Sequence, residues 1–276
     1  MAFRACPRKD DPFERKVRET YGANVVGAPR AGIEPLTTVA RQDDRVEPRG
    51  HLRHILEGDG PDLPKVTPSP AAAMSGTRSA EVKAKLGFDL SANFLSALGL
   101  PVPGANLTAT LWEGASTFTF EVRDVIDNQV DLAELGQAIN GRLVAQNPAT
   151  EIFLTDESHQ LLLITRTLTT PTFAIRAIGT GGQAVKIAVD GIADLVGSAH
   201  ADVSWKRGHD DWVSFSGAAP VTFGFAVVPC FINSARRLMF GLTISDVKFG
   251  KAPMEAAKVK SRPAIDDGRA GLLSFD

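Results

Sequence analysis

Residues Ala80–Phe94, AEVKAKLGFDLSANF, set the terms for the fold. Val82, Ala84, Leu86, Phe88, Leu90, Ala92 and Phe94 are small or apolar, with Glu81, Lys83, Lys85, Gly87, Asp89, Ser91 and Asn93 between them. A period of two gives an extended chain one apolar and one polar face. At about 3.3 Å per residue the tract reaches roughly 45–50 Å. An ordinary strand has about 5–6 residues, and a tilted strand crosses a bilayer core in about 9–11. The length suits a membrane better than a soluble core.

The pattern returns downstream. After the break Leu100–Ala105 (LPVPGA), Leu107, Ala109 and Leu111 alternate with Thr108, Thr110 and Trp112. The phase shifts near Gly114, and Phe118, Phe120 and Val122 then face the other way against Thr119, Glu121 and Arg123. Val185, Ile187 and Val189 alternate with Lys186, Ala188 and Asp190. Ala199, Ala201, Val203 and Trp205 alternate with His200, Asp202, Ser204 and Lys206. Two two-faced hairpins are predicted, Ala80–Asp124 and Gln183–Phe215. The same alternation also suits a large antiparallel sheet with one face on a core and the other in water. Pattern alone leaves both readings open.

A chain of 276 residues can bury a real core, as one large domain with or without an appendage. Its 43% hydrophobic and 22% charged content are those of a globular protein. A net charge of −2 argues against a nucleic-acid binder, whose footprint is a basic excess. Cys6 and Cys230 offer neither a disulfide framework nor metal-ligand spacing. No apolar run approaches the roughly 18 residues of a transmembrane helix, and MAFRACPRKDD lacks a signal peptide's apolar segment. A soluble product of a reducing cytoplasm is expected, with any membrane role following a change of state.

Along the chain, Asp11 caps a predicted helix that has Pro12 at its first position, Phe13, Val17 and Tyr21 on one face, and Gly22 as its stop. Ala23–Ala28 and Ile33–Ala40 read as extended, Pro35 placing the latter at an edge or start. His51–Leu56 reads as a helical turn or two, and Gly58–Gly76, with four prolines, as a loop. Asp131–Gln146 reads as a helix with Leu132, Leu135, Ile139 and Leu143 on one side, ended by Asn147-Pro148. Glu151–Asp156, Gln160–Leu168, Thr172–Ile178, Val221–Val228 and Leu242–Phe249 read as strands. Phe231–Phe240 reads as a helix, and Gly191–Val196 as helix-compatible.

Catalytic chemistry has no foothold in the sequence. His51-x-x-His54 lacks the further ligands a zinc ion needs, and His209-Asp210-Asp211 suits a turn between strands. Gly179-Thr180-Gly181-Gly182 lacks a phosphate loop's lysine and setting. The expectation is a non-enzyme that uses no cofactor. The tail changes character: Gly250–Arg262 is polar and lysine-rich, an exposed linker open to proteases. Leu272, Leu273 and Phe275 then restore apolar bulk that a merely polar tail would not need. This end piece is expected to dock on the body, as a permanent core element or as a removable clasp.

Several stretches resemble the bacterial gasdermins, relatives of the pore-forming domains of animal gasdermins. Tyr21–Arg41, YGANVVGAPRAGIEPLTTVAR, is similar to that family's N-terminal block, and Val82–Asp124 holds its long alternating strand, FLSALG segment and FTFEVRDV strand in order. Val221–Ile232, VTFGFAVVPCFI, is similar to a third family strand, and a near-terminal cysteine and a short C-terminal peptide complete the likeness.

The resemblance implies an α+β fold: a large, twisted, mostly antiparallel sheet flanked by helices, with a short autoinhibitory C-terminal peptide docked on the body. It implies a pore-forming domain over residues 1–247, a protease-sensitive linker over 248–262 and an inhibitory peptide over 263–276. A caspase-like or other protease would act in the linker, between Val247 and Arg262, where Lys251, Lys258 and Lys260 are available to a basic-specific enzyme. Arg262 precedes Pro263, a poor setting for such a cut, and the interval holds no aspartate. Leu272, Leu273 and Phe275 would make the inhibitory contacts. The freed body would leave the cytoplasm for the inner membrane, self-assemble and face lipid with Val82, Leu86, Phe88, Leu90, Val185, Ile187, Val189 and Val203. The outcome would be cell death in antiviral defence. Cys6 matches the family's acylated cysteine, typically carrying palmitate; an unmodified thiol is the other reading. Two alternatives stand beside the pore former: a soluble α+β binding module whose tail is permanent core, and a hydrolase with a dispersed site.

Overall fold

The computed structural model describes residues 12–42, 45–79, 97, 115–155, 159–179, 182–185, 204–208 and 211–240. In chain order its elements are α1 (Pro12–Tyr21), β1 (Asn24–Arg30), β2 (Thr37–Gln42), β3 (Arg45–His51), a 3-10 turn (Leu52–His54), β4 (Thr67–Pro70), β5 (Met74–Ser79) and β6 (Ala115–Arg123). There follow β7 (Ile126–Gln129), α2 (Leu132–Ile139), α3 (Glu151–Thr155), β8 (Gln160–Gly179), β9 (Ala184–Val185), β10 (Ser204–Arg207), β11 (Val213–Ile232) and β12 (Leu238–Phe240). All twelve strands join one sheet, and every pairing among them is antiparallel. The fold is α+β, as expected; the C-terminal peptide lies outside the described residues.

Two 20-residue strands, β8 and β11, form the spine. Along the free side of β8 come β2, then β7, then β6. Each carries one further strand, respectively β3, β4 and β5. Along the free side of β11 come β12, β1 and β10.

The sequence suggested two strands, Gln160–Leu168 and Thr172–Ile178, where the chain makes one. Pro171 interrupts the apolar pattern but not the strand. It has no N–H to lose, and it sits where the ladders shift on both sides. On β11, Gly217–Pro220 loop out between the pairs Ser216↔Thr172 and Val221↔Thr170. On the other flank β6 gives way to β7 through Asp124, whose φ is +50°. The Thr170 hydroxyl repairs the gap: it accepts from the Thr172 N–H at 2.9 Å and lies against the Arg123 carbonyl.

The first half of β8 is packed on both faces. Leu161 and Leu163 meet Leu36, Ile55, Leu135, Ile139, Val144 and Leu238 on one side. Leu162 and Ile164 meet Val26, Ile33, Val39 and Phe225 on the other. Burying each such side chain contributes about 1.5–3 kcal/mol. Strands buried on both faces read as unbroken apolar runs, as LLLI does here.

The helix α1 forms over Pro12–Tyr21; Asp11, read as its cap, lies outside the described residues. Phe13 and Val17 are fully buried, and Gly22, at φ +59°, returns its N–H to the Arg18 carbonyl at 2.8 Å. Phe13 meets Phe120 edge-on at 5.0 Å and Phe223 at 6.3 Å, and Phe120 stacks on Phe173 at 5.9 Å. This aromatic set covers the second half of β8.

Four further expectations are corrected. Gly58–Gly76 contains β4 and the start of β5: among the described residues β4 pairs with β7 alone, and an edge strand tolerates Pro68 and Pro70. The helix predicted over Asp131–Gln146 stops at Ile139, because Asn140 is extended and Gly141 turns left-handed at φ +80°. Leu132 is 49% exposed, and Leu143 bridges to Arg237 instead of lining the helix. Glu151–Asp156, read as a strand, opens as helix α3, because the Asn147 side chain accepts from the Ala149 N–H at 2.9 Å and the Thr150 N–H at 3.2 Å. Phe231–Phe240, read as a helix, is a hairpin from β11 to β12. The Asn233 side chain accepts from the Ala235 and Arg237 N–H groups, and Arg236 adopts φ +56°.

Ile33–Ala40 is extended only from Thr37. Leu36 turns at φ +68°, and β2 is an interior strand between β8 and β3, so Pro35 marks a start and not an edge. Of the helical turn or two expected over His51–Leu56 the chain makes one, at Leu52–His54, and Val221–Val228 lies within β11.

Candidate functional site

The two alternating regions are rooted in the same half of the sheet. β5 and β6 pair from Met74↔Val122 to Ser79↔Thr117, so the ends of the interval 80–114 are neighbouring strands. β6 then lies against Arg123↔Thr172 through Ala115↔Gly179 of β8. Phe120 and Val122 are buried, the face expected from the phase shift.

The second region leaves the sheet beside the first. At the end of β8 the Gly182 N–H donates to the Gly179 carbonyl and the Gly179 N–H to the Gln183 carbonyl, each at 2.9 Å, with Gly182 at φ +76°. This tight turn lays β9 back on β8, Ala177↔Val185 and Ile178↔Ala184. At the other end β10 pairs with β11 from Ser204↔Ser216 to Arg207↔Val213. The joining turn has Asp211 at φ +58°, the Gly208 N–H on the Trp212 carbonyl at 2.8 Å, and an ion pair from Arg207 to Asp211. Asp211 thus lies in the turn expected between two strands. Most of the hairpin expected over Gln183–Phe215 lies outside the described residues. Among the described residues β9 and β10 do not pair with each other; each folds back on the long strand beside it.

Two arginines tie these pieces together. Arg123 on β6 pairs with Glu121 and donates to the Ser214 hydroxyl on β11 at 3.0 Å. Its guanidinium also lies 5.3 Å from the Trp212 ring, joining the root of the first region to the turn of the second. Arg166 on β8 pairs with Asp127 at 2.9 Å, donates to the Gln129 side chain at 3.0 Å, and reaches the Tyr21 carbonyl at the end of α1. Asp127 is only 6% exposed, so this contact compensates a desolvated charge. Neither arginine stood out in the sequence. The available signal was a cation in a strand rich in apolar and threonine residues, Arg166 and Arg176 in β8 and Arg123 at the end of β6.

The His51 and His54 rings meet edge-on with their centroids 6.4 Å apart. His51 Nδ1 accepts from the Arg53 N–H and side chain, each at 3.2 Å. Burial, then the charges of Arg53 and His54, lower its pKa. No group of three or more His, Cys, Asp or Glu is placed to hold a metal among the described residues. Cys230 is 3% exposed in the apolar core, and burial pushes its thiol up to about 12. It belongs to the core. None of the helices among the described residues is long and apolar enough to cross a membrane, which says nothing of strands.

Of the residues expected to face lipid, Val185 is described, in β9; Val82, Leu86, Phe88, Leu90, Ile187, Val189 and Val203 lie outside the described residues. So do Cys6, Val247, Lys251, Lys258, Lys260, Arg262, Leu272, Leu273 and Phe275, the helix-compatible Gly191–Val196 and the strand expected over Leu242–Phe249.

Comparison with known proteins converges on one family. The model of the bacterial gasdermin family matches residues 26–237. A gasdermin from a Desulfuromonadales bacterium is 27% identical over 267 residues, covering 96% of this chain and 95% of the relative. A gasdermin from Lysobacter enzymogenes is 28% identical over 222 residues, covering 79% of this chain and 80% of the relative. Among solved structures, a bacterial gasdermin from Bradyrhizobium tropiciagri superposes with a TM-score of 0.55 at 15% identity, covering 81% of this chain and 88% of that one. At that identity the likeness speaks for the fold alone.

Proposed function

This chain belongs to the bacterial gasdermin family, and we propose that it is a pore former held inactive by its C-terminal segment until a protease removes it. Membership carries the pore-forming role; the observation that supports the mechanism is the common root of the two alternating regions. Intervals 80–114 and 186–203 both leave the half of the sheet built on residues 172–179 of β8.

Strands cross lipid only when every backbone donor and acceptor is paired, so the inserted form is a closed barrel made by many copies. Each subunit contributes two ribbons, with Val82, Leu86, Phe88, Leu90, Val185, Ile187, Val189 and Val203 on the lipid side. The partners are the activating protease, the membrane lipids and further copies of the chain. Cleavage falls between Val247 and Arg262, and Leu272, Leu273 and Phe275 hold the resting state by a few kcal/mol, enough to bias a two-state element. A palmitoyl group on Cys6 aids insertion without anchoring the protein, since one acyl chain gives only marginal membrane affinity. The resting protein is cytoplasmic, the active one sits in the inner membrane, and the cell's death serves antiviral defence.

The test is expression in a bacterial host of the full chain and of a version ending at Arg262. Uptake of a membrane-impermeant dye is expected only with the shortened version. Equal viability and no uptake from either, at matched expression, would contradict the proposal.

A further inference from the structure

We propose that Asn140 is a modification site, independent of the pore-forming reading. Its side-chain amide is lost to attack by the Gly141 nitrogen when residues 141–145 come away from the β12 hairpin, and the isoaspartate that results keeps them from seating again.

The residue pair supplies the chemistry. Of the chain's asparagines, only Asn140 precedes a glycine. The Gly141 backbone nitrogen attacks Cγ of Asn140, a new C–N bond closes a five-membered succinimide, and the Cγ–Nδ2 bond breaks. The proton from the Gly141 nitrogen leaves with Nδ2 as ammonia. Water then opens the ring at either carbonyl, giving aspartate or an isoaspartate whose main chain runs through Cβ and Cγ. No electrons change hands. A following glycine hinders the attack least, since it has no Cβ and gives its backbone the widest freedom.

The fold holds both reacting groups away from that path. Asn140 is exposed and ends α2, its N–H on the Gly136 carbonyl at 3.0 Å. Its φ is −64° and its ψ 126°. Ring closure needs the Gly141 nitrogen eclipsed with Cβ of Asn140, which in an L residue lies far from this extended ψ. The Gly141 N–H is also given to the Leu238 carbonyl at 2.7 Å. The Asn140 Oδ1 accepts from the Phe240 N–H at 3.3 Å. Nucleophile and carboxamide are thus both tied to β12.

The restraint extends along the next residues. The strip 141–145 lies between 236–238 and 55–57, with bridges Leu143↔Arg237 and Leu56↔Val144. On one side the Val144 N–H donates to the Arg236 carbonyl and the Leu238 N–H to the Arg142 carbonyl, each at 2.8 Å. On the other the Glu57 N–H meets the Leu143 carbonyl at 2.8 Å and the Ala145 N–H the Ile55 carbonyl at 2.9 Å. The Arg237 guanidinium donates to the Gly141 carbonyl at 2.7 Å, and that of Arg236 to the Val144 carbonyl at 3.3 Å. Val144 and Leu238 are buried in one cluster beneath. Freeing the Gly141 nitrogen therefore means opening the strip, and a reaction through a rarely open state is slowed by the open fraction. The products differ afterwards. An aspartate keeps an oxygen for the Phe240 N–H, whereas the added backbone carbon of isoaspartate carries the Gly141 N–H off the Leu238 carbonyl.

The full chain, held at mildly alkaline pH in buffer and in urea, tests this by peptide mass spectrometry at each asparagine. In urea Asn140 is expected to be modified first, and in the native chain at least about tenfold more slowly. Arg237→Ala removes the donor to the Gly141 carbonyl and is expected to raise the native rate at Asn140 at least about threefold, with Asn24 unchanged. In native material aged until partly modified, the isoaspartyl peptide is separable from its unmodified form. Its amides at Gly141 and Leu238 are expected to exchange at least about tenfold faster, whereas Asn140→Asp stays within about twofold of wild type. Equal rates at Asn140 in buffer and in urea overturn the proposal, whether or not Arg237→Ala folds. So does a folded Arg237→Ala chain with the wild-type rate, or an isoaspartyl peptide as protected as the unmodified one.

Discussion

The two halves of β8 are both buried, but by different means. Before Pro171 its side chains are locked between apolar clusters on both faces, built with residues of β1, β2, the 3-10 turn, α2, β11 and β12. After Pro171 the cover includes α1, laid on through Phe13, and the flanking strands are the roots of the two alternating regions. The first half has many independent supports. The second is covered by the set of Phe13, Phe120, Phe173 and Phe223 and bordered by the strands that lead into the two regions. A protein that must keep its fold while reorganising part of a sheet needs that asymmetry, because elements that move are drawn from the less stable end of a structure.

The largest expected effect tests the scaffold half. Phe225→Ala empties a fully buried site and is expected to cost about 3–5 kcal/mol in urea unfolding. A loss under about 1 kcal/mol would mean that this half is not the rigid one. Next, Arg166→Ala leaves Asp127 buried without its partner and frees the end of α1. Its cost is expected at about 2–3 kcal/mol, with faster protease nicking near Tyr21 than in Phe225→Ala at equal stability. Equal nicking in both variants would deny α1 its separate role.

A smaller change in stability, with a kinetic signature, is expected from Arg123→Gln. The pair with Glu121 is part-exposed, so the cost should stay under about 1 kcal/mol. The lag before dye release should nonetheless shorten, since the Trp212 turn loses its contact. An unchanged lag would confine Arg123 to the surface. The smallest effect is expected at Cys230. Burial holds its thiol neutral up to about 12, above the ordinary value of 9.0. The folded-state pKa is raised, so its contribution to stability is complete below pH 9 and declines as pH rises through 9 toward 12. At pH 8 a thiol reagent should label Cys230 only at the rate of unfolding; fast labelling of the native protein would place it outside the core.

Local chemistry made some of this legible in the sequence and hid the rest. The α1 signal ran from Asp11 to Gly22, and over its described part, Pro12 to Gly22, the chain obeys it. The alternating regions were visible because a period of two is itself local. What escaped was decided by distant partners. Pro171 looked like a strand end because nothing nearby shows that β11 loops out Gly217–Pro220 opposite it. Phe231–Phe240 has helical spacing, yet Asn233 and Arg236 impose a hairpin that pays off only against Cys230 and Ile232. Arg123 and Arg166 draw their roles from residues between 37 and 145 positions away. For the same reason the two regions could be found while their common root could not. Strand direction and register belong to the sheet and not to the segment.

Dye release from anionic vesicles before and after limited proteolysis tests the central claim most directly. The intact chain should leave the vesicles sealed, and the cut chain should empty them with concentration-dependent kinetics and co-sediment as a ring-sized assembly. A cut chain that stays monomeric in solution beside intact vesicles would contradict the account.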